Sequence, residues 1–414
     1  MKRPSTPQWL VSALLAVSAC IDPADAGESP AGATADSETA DTANNANTAG
    51  PGETTAGAGS TGATDGTPDD TTDDPTTGED PTGEGEDESS TGAPGQPEGV
   101  PMFVALGQGG RRLLSCDDGH SWVGEQIVEM NDDDHGPYSS RSITWGEGTF
   151  MIGMGWGNPG KLWRSENGLD WQETFPPPDH DPTGLSGVIY GGGRFVAVEG
   201  RRTWHSEDRG LAWTPGDNLA PGEIIRTVGY SPYDGGRYYA VGGGEIHVSS
   251  DGQTWSAPGS VQGSCEGNVS RRGGVVADGD LFVVVTDTGN VCRTDDGGQT
   301  FTHHVVGPGP GNGAVVRSNL VVTNEGFYAA GGSGAWTSAD GIDWQSHAFA
   351  LDGDPIRRLA RGDTGTLVGI AWNGDDFYRS DDGGLQWLPS DAPAGNDTNQ
   401  VTFGYATASD TCPQ

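Results

Sequence analysis

Arginine recurs at one kind of position in this chain. Arg141, Arg226, Arg272 (after Arg271), Arg317 and Arg358 (after Arg357) each stand at or just before the start of a short β-rich run. A guanidinium is a planar fork of N–H donors that fits the oxygens of a carboxylate, sulfate or phosphate. Five of them gathered at one rim would hold an anionic ligand; the competing reading is a set of solvated ion pairs with aspartates of the adjoining loops. Trp156 and Trp372 occupy equivalent loop positions, where an exposed indole stacks on a sugar ring and a buried one only packs. His135 and His180 lie beside carboxylates, the residue types of acid–base catalysis. The run "NDDDHGPY" (131–138) is rich in the oxygens that calcium prefers, yet it lacks the alternating spacing of a calcium loop. We therefore expect no metal and no cofactor, with Ca2+ the one ion this loop would suit. Catalytic residues are not named by the sequence, which holds no nucleophile–base pair and no cofactor fingerprint. A carboxylate pair would have to come from Asp134, Asp181, Glu223, Asp287 and Asp376.

What must position these residues is a repeat. A Ser or Thr, an Asp or Asn two residues on, a Gly and then an aromatic recur in 115–122, 165–171, 206–213, 249–255, 294–301, 338–344 and 380–387. Successive aromatics, from Trp122 to Trp387, lie 42 to 49 residues apart, the period of a four-stranded propeller blade. Ser and Asp side chains bond nearby amides, Gly accepts positive φ, and the aromatic returns on the next strand to pack beneath. The motif is thus a hairpin turn rather than a catalytic one. β-Rich runs such as "GRFVAVEGRRTWHS" (193–206) precede each copy, so each unit reads as three strands, the repeated turn and a fourth strand. Trp163, Trp204 and Trp336, each two residues ahead of a turn serine, are expected in the core between blades.

The two ends complement one another. Residues 101–106 read as a second strand with no first, and 399–406 as a first strand with nothing after it. Pairing them closes the ring and removes the sheet edges. The expected fold is all-β, a seven-bladed β-propeller over 100–414 closed by its N- and C-terminal strands. In such a ring Cys116 and Cys412 fall on one face of the closing blade, and Cys265 and Cys292 on the opposite face of another. Of the three connectivities open to four cysteines, we expect Cys116–Cys412 and Cys265–Cys292.

Ahead of the repeats, Lys2 and Arg3 are followed by an apolar run over 9–19, too short to span a bilayer. Val-Ser-Ala-Cys (17–20) resembles a bacterial lipobox. That resemblance implies a signal peptide over 1–19, lipidation at Cys20 and, with Ile21 following, an outer-membrane address. Residues 20–99 contain no Lys or Arg and carry 19 of the 59 acidic residues. Almost without large apolar side chains, this stretch cannot offset its chain entropy and is expected to be a disordered acidic stalk. Residues 100–414 hold 40 acidic residues against 19 basic ones, a balance that disfavours nucleic acid and anionic lipid as partners. Membrane contact is left to the anchor alone.

The seven turns resemble the Asp-box, or BNR, repeats of the sialidase-like propellers, and the likeness covers 101–414. It implies that the turns lie at the outer edge of the face away from the ligand site, so that the opposite, loop face carries the function. The superfamily includes sialidases, other glycoside hydrolases, sortilin-type receptors and a photosystem II assembly factor, and so does not name a reaction. The Arg-Ile-Pro-type motif of sialidases has no counterpart in 100–130, and sialidases have six blades; both departures count against sialidase activity. The expected protein is a monomeric outer-membrane-tethered lipoprotein, periplasmic or surface-exposed. Its loop face would bind a carbohydrate or a surface or extracellular protein. The alternative is an exported glycoside hydrolase or polysaccharide lyase acting on an acidic sugar, which requires two carboxylates roughly 5–10 Å apart.

Overall fold

Each repeated unit folds as an antiparallel meander whose outer turn is the Ser–x–Asp motif. The computed structural model describes residues 99–108, 111–126, 140–154, 160–180, 183–219, 225–242, 245–256, 262–263, 273–286, 289–307, 319–331, 334–349, 351, 355–371, 376–407 and 412. The expected signal peptide, Cys20 and the stalk lie outside them, apart from Gly99 at the stalk's end.

Seven sheets stand around a ring, and each runs from an innermost strand outward. Blade 1 is Thr398–Ala406, Val100–Gly107, Arg111–Ser115 and Val123–Gln126; blade 2 is Ser140–Gly146, Thr149–Met154, Lys161–Ser165 and Gln172–Phe175. Blade 3 is Leu185–Gly191, Arg194–Glu199, Arg202–Ser206 and Thr214–Asn218; blade 4 is Thr227–Ser231, Arg237–Gly242 and Glu245–Ser249. Blade 5 is Gly273–Asp278, Leu281–Thr286, Asn290–Thr294 and Thr300–Val305; blade 6 is Val321–Thr323, Gly326–Gly331, Gly334–Ser338 and Gln345–Ala348. Blade 7 is Ile356–Arg361, Leu367–Ala371, Phe377–Ser380 and Leu388–Ser390.

Blade 4 has three strands among the described residues, and residues 257–261, where its fourth is expected, lie outside them. After the repeat aromatic Trp255, Ser256 donates its amide to Val248 O (2.8 Å), but the Val248 amide goes to the Ser256 hydroxyl (2.9 Å). A side chain occupies the place of a backbone partner at this point. Gln262–Gly263 runs parallel to the outer strand of blade 5.

The ring closes as its ends require. Val100–Gly107 pairs antiparallel with Thr398–Ala406, Phe103 opposite Phe403. The Gln108 amide to Asp397 O and the Trp122 amide to Asp391 O, each 2.8 Å, extend the seam. Cys116 is disulfide-bonded to Cys412 across 296 residues of chain. Cys292 is fully buried and also disulfide-bonded; Cys265, its expected partner, lies outside the described residues.

The core divides into seven clusters, one for each interface between neighbouring blades. Second strands are buried on both faces because a blade lies on either side. Val104 packs with Phe150 and Ile152 of blade 2, whereas Phe103 and Ala105 pack with Val368 and Ile370 of blade 7. Alternation along one strand thus serves two interfaces, which is why these strands read as continuous apolar runs. Trp204 and Trp336 are buried at such interfaces, and Trp163 packs half-buried against another. Among the described residues no helix is long and apolar enough to cross a membrane.

Candidate functional site

The meander places two sets of connections on opposite faces of the disc. The repeated turns lie on one face; the links from second to third strand and from blade to blade lie on the other. In blade 1, Ser115 Oγ donates to Asp117 Oδ1 (2.8 Å) and accepts from the Gly119 amide (2.9 Å), while Asp117 accepts from the Ser121 amide and hydroxyl. The same arrangement recurs around Asp208, Asp251, Asp296, Asp340 and Asp382. In blade 2, Asn167 keeps the acceptor role through Oδ1 and spends its Nδ2 on Asp170 (2.8 Å). The amides of Ile342 and Asp343 hold the Asp340 carboxyl below the usual carboxylate range. At Asp117, Asp208, Asp251 and Asp296 partial burial pushes the pKa up, but the turn's amide and hydroxyl donors overcome it and the net shift is downward. These carboxylates are ionised acceptors committed to the backbone, as the hairpin reading requires.

A second device on this face escaped the sequence reading. Arg164 Nε donates to Arg209 O (3.1 Å), Arg293 Nε to Asp340 O (2.8 Å) and Arg379 Nε to Asp118 O (2.7 Å), each reaching the turn of the next blade. Arg112 Nη1 donates likewise to Leu169 O, and Arg194 Nη1 to Asp251 O (2.7 Å). Five of the seven turns are thus held by an arginine of the preceding blade. The signal was present: Arg164, Arg293 and Arg379 immediately precede their turn Ser or Thr.

On the loop face the innermost strands begin, and the described arginines of the expected rim stand at those beginnings. Arg226 precedes Thr227–Ser231, its amide bonded to Val241 O (2.9 Å), and its side chain is half-buried. Arg357 and Arg358 lie in Ile356–Arg361, also half-buried. Arg358 Nε donates to Asn399 O of blade 1 (2.8 Å) and Nη1 to Arg357 O (2.9 Å), which fixes the guanidinium plane across the seam between two blades. Facing the channel, these strands have no further strand to pair with, and polar side chains bridge blade to blade in its place. Ser142 bonds Val188, Ser231 bonds Gly279 O, and Asn319 bonds both the amide (2.7 Å) and the carbonyl (2.8 Å) of Leu359. Arg141 belongs to the innermost strand of blade 2, but its side chain, and all of Arg272, Arg317, Trp156 and Trp372, lie outside the described residues. So do His135, the 131–138 run, Asp134, Asp181, Glu223 and Asp287. Among the described residues no group of three His, Cys, Asp or Glu stands close enough to hold a metal ion. A cleft of about 350 Å³ lies on the turn face instead, between Glu166, Trp171 and Thr407.

Residues 261–403 match the DUF6242 beta propeller domain family. No curated protein matches the chain. Among solved structures, virginiamycin B lyase from Staphylococcus aureus is 11% identical over 66% of this chain and 93% of that one, with a TM-score of 0.51. YCF48 bound to D1 peptide is 17% identical over 76% and 91%, TM-score 0.45, and the computationally designed Ika8 protein is 15% identical over 75% and 95%, TM-score 0.45. At these identities the likeness is one of fold.

Proposed function

We propose that this chain is an envelope lipoprotein, anchored through Cys20 to the outer membrane and carrying an Asp-box propeller on an acidic stalk. Its loop face binds an acidic carbohydrate or the acidic surface of an extracellular protein, as a monomer and without a cofactor. The observation that carries this reading is the placement of Arg226, Arg357 and Arg358 at the loop-face ends of innermost strands, with Arg358 held in one orientation by two backbone carbonyls. A preorganised guanidinium loses less freedom on binding an oxyanion. The turn carboxylates, by contrast, are committed to their own backbone on the other face. The test is a glycan-array binding and hydrolysis screen of the mature protein beside an Arg226→Ala, Arg358→Ala variant whose melting is unchanged. Selective binding of acidic glycans that the variant loses supports the reading. Binding indifferent to the variant, or no binding of any acidic glycan or protein surface, overturns it, and released sugar moves the assignment to a glycosidase or lyase.

A further inference from the structure

Blade 3 carries a cluster on its loop face that the repeat does not call for. Glu199 ends the second strand and is 3% exposed. The corresponding second strands end in Gly107, Met154, Gly242, Thr286, Gly331 and Ala371, so six blades are built without a carboxylate here. A buried carboxylate is costly unless it is paired, and this one is paired fully. Its Oε2 accepts from Trp204 Nε1 (2.9 Å) and contacts His180 Nε2 (2.8 Å), and its Oε1 accepts from the Thr183 amide. His180 comes from the loop joining blade 2 to blade 3, its ring between Phe175 (5.7 Å) and Trp204 (4.8 Å). On the far side of that ring Nδ1 faces Arg202 Nη1 at 3.3 Å, and the Arg202 guanidinium lies 5.8 Å from the Trp204 ring centroid.

The tautomer follows from the partners. Glu199 is an acceptor, so Nε2 carries the proton; Arg202 is only a donor, so Nδ1 accepts from it. A proton added at Nδ1 leaves two N–H donors facing each other at a separation one acceptor can bridge. We infer that His180 and Arg202 form a proton-linked subsite for a single oxyanion group, a carboxylate, sulfate or phosphate, on the loop face of blade 3. Among the described residues the charges facing His180 are Glu199 from the second strand and Arg202 from the third. Trp204 and Phe175 pack on it uncharged, and exposed Asp179 adjoins it in its own loop. With Glu199 ionised, the imidazolium and the guanidinium leave one positive charge, which one anionic group cancels. The site extends the acidic-ligand reading to a second place on the same face but does not use Arg226 or Arg358.

The test is calorimetric titration of the mature protein with sodium sulfate and, separately, with methyl glucuronide at pH 5.5 and 8.0, in buffers of differing ionisation enthalpy. The expected result is uptake of about one proton and a lower affinity at pH 8.0 than at pH 5.5, by up to tenfold per pH unit. Binding of both probes assigns the site to glycan-borne anions; binding of sulfate alone assigns it to the free ion. His180→Gln should abolish the proton uptake, and Arg202→Gln, which leaves the His180–Glu199 contact in place, should abolish binding should the first variant not fold. Affinity independent of pH, or unchanged proton uptake in either variant, overturns the proposal. The Arg226→Ala, Arg358→Ala protein should keep this binding, so failure of the rim reading and failure of the subsite are told apart.

Discussion

Two adjacent glycines in the turn of blade 7 separate backbone strain from packing. Gly383 (φ +74°) and Gly384 (φ +89°) both lie in the left-handed region, where any other L-residue costs about 1–2 kcal/mol. A Cβ at Gly383 meets nothing within 4 Å, whereas one at Gly384 would lie 2.3 Å from Tyr328 Cε2 and 2.4 Å from Cζ. That ring cannot retreat cheaply: Tyr328 is fully buried in blade 6, donates its hydroxyl to Gly384 O (2.9 Å) and lies 3.2 Å from Trp387 Nε1. Gly383→Ala should therefore cost only the strain, about 1–2 kcal/mol. Gly384→Ala adds overpacking of about 1–3 kcal/mol and weakens a buried hydrogen bond worth about 1 kcal/mol, for a total of roughly 3–6 kcal/mol. Equilibrium urea unfolding of the full chain, followed by tryptophan fluorescence, reads both. Equal midpoint shifts for the two variants would refute the claim that Gly384 is selected by the neighbouring blade it presses on.

Two further outcomes are expected from the turn face. Arg379→Ala removes the donor to Asp118 O together with its ion pair to Asp118 (3.3 Å) and should lower unfolding stability by about 2 kcal/mol. Arg379→Lys, which keeps the charge but loses the fork, should recover less than half of that in the same urea assay. The second concerns acid. Asp117, Asp208, Asp251, Asp296 and Asp340 titrate lower in the folded chain than their ordinary 3.8, so the unfolded chain binds protons first and their stabilisation, complete above that value, is lost as pH falls through and below it. Melting temperature should be flat with respect to these groups above about pH 5 and drop below pH 4. Asp340→Asn, the substitution that blade 2 already carries as Asn167, should make the drop shallower.

The blade count and the closure were legible because each follows from spacing, and the Cys116–Cys412 bond because the ring puts both cysteines on one face of the closing blade. Seven turns at blade period fix seven units, and two incomplete ends fix the seam that Val100–Gly107 and Thr398–Ala406 form. The Ser256 hydroxyl as partner of the Val248 amide was not legible, since whether that amide takes a backbone carbonyl or a hydroxyl leaves no mark on hydrophobic periodicity. The arginines were half legible. Those at the starts of innermost strands stand out as a rim; Arg164, Arg293 and Arg379 do not, because their partners lie 45, 47 and 261 residues away in the chain and only the ring brings them near. Glu199 was hidden for the opposite reason. At the end of "GRFVAVE" (193–199) it reads as the solvated tip of a strand, and only the loop from blade 2 folding over it makes it buried.

Repetition within one chain supplies its own control for deciding which residues the fold demands. Immediately before the turn Ser or Thr stand Leu114, Arg164, His205, Val248, Arg293, Thr337 and Arg379, so the arginine that staples one blade to the next is dispensable at that position. At blade 3 the position holds His205, and Arg194 from the second strand reaches the Asp251 carbonyl in its place. The contact is kept while the residue that makes it moves, the pattern expected of a structural requirement. Glu199 shows the reverse. Six second strands end without a carboxylate and close their blades all the same, yet here one is buried and given Trp204, His180 and the Thr183 amide as partners. A buried charge that the architecture does without six times, and that ends in an imidazole facing a guanidinium, is better accounted for by what it presents on the loop face than by what it holds together.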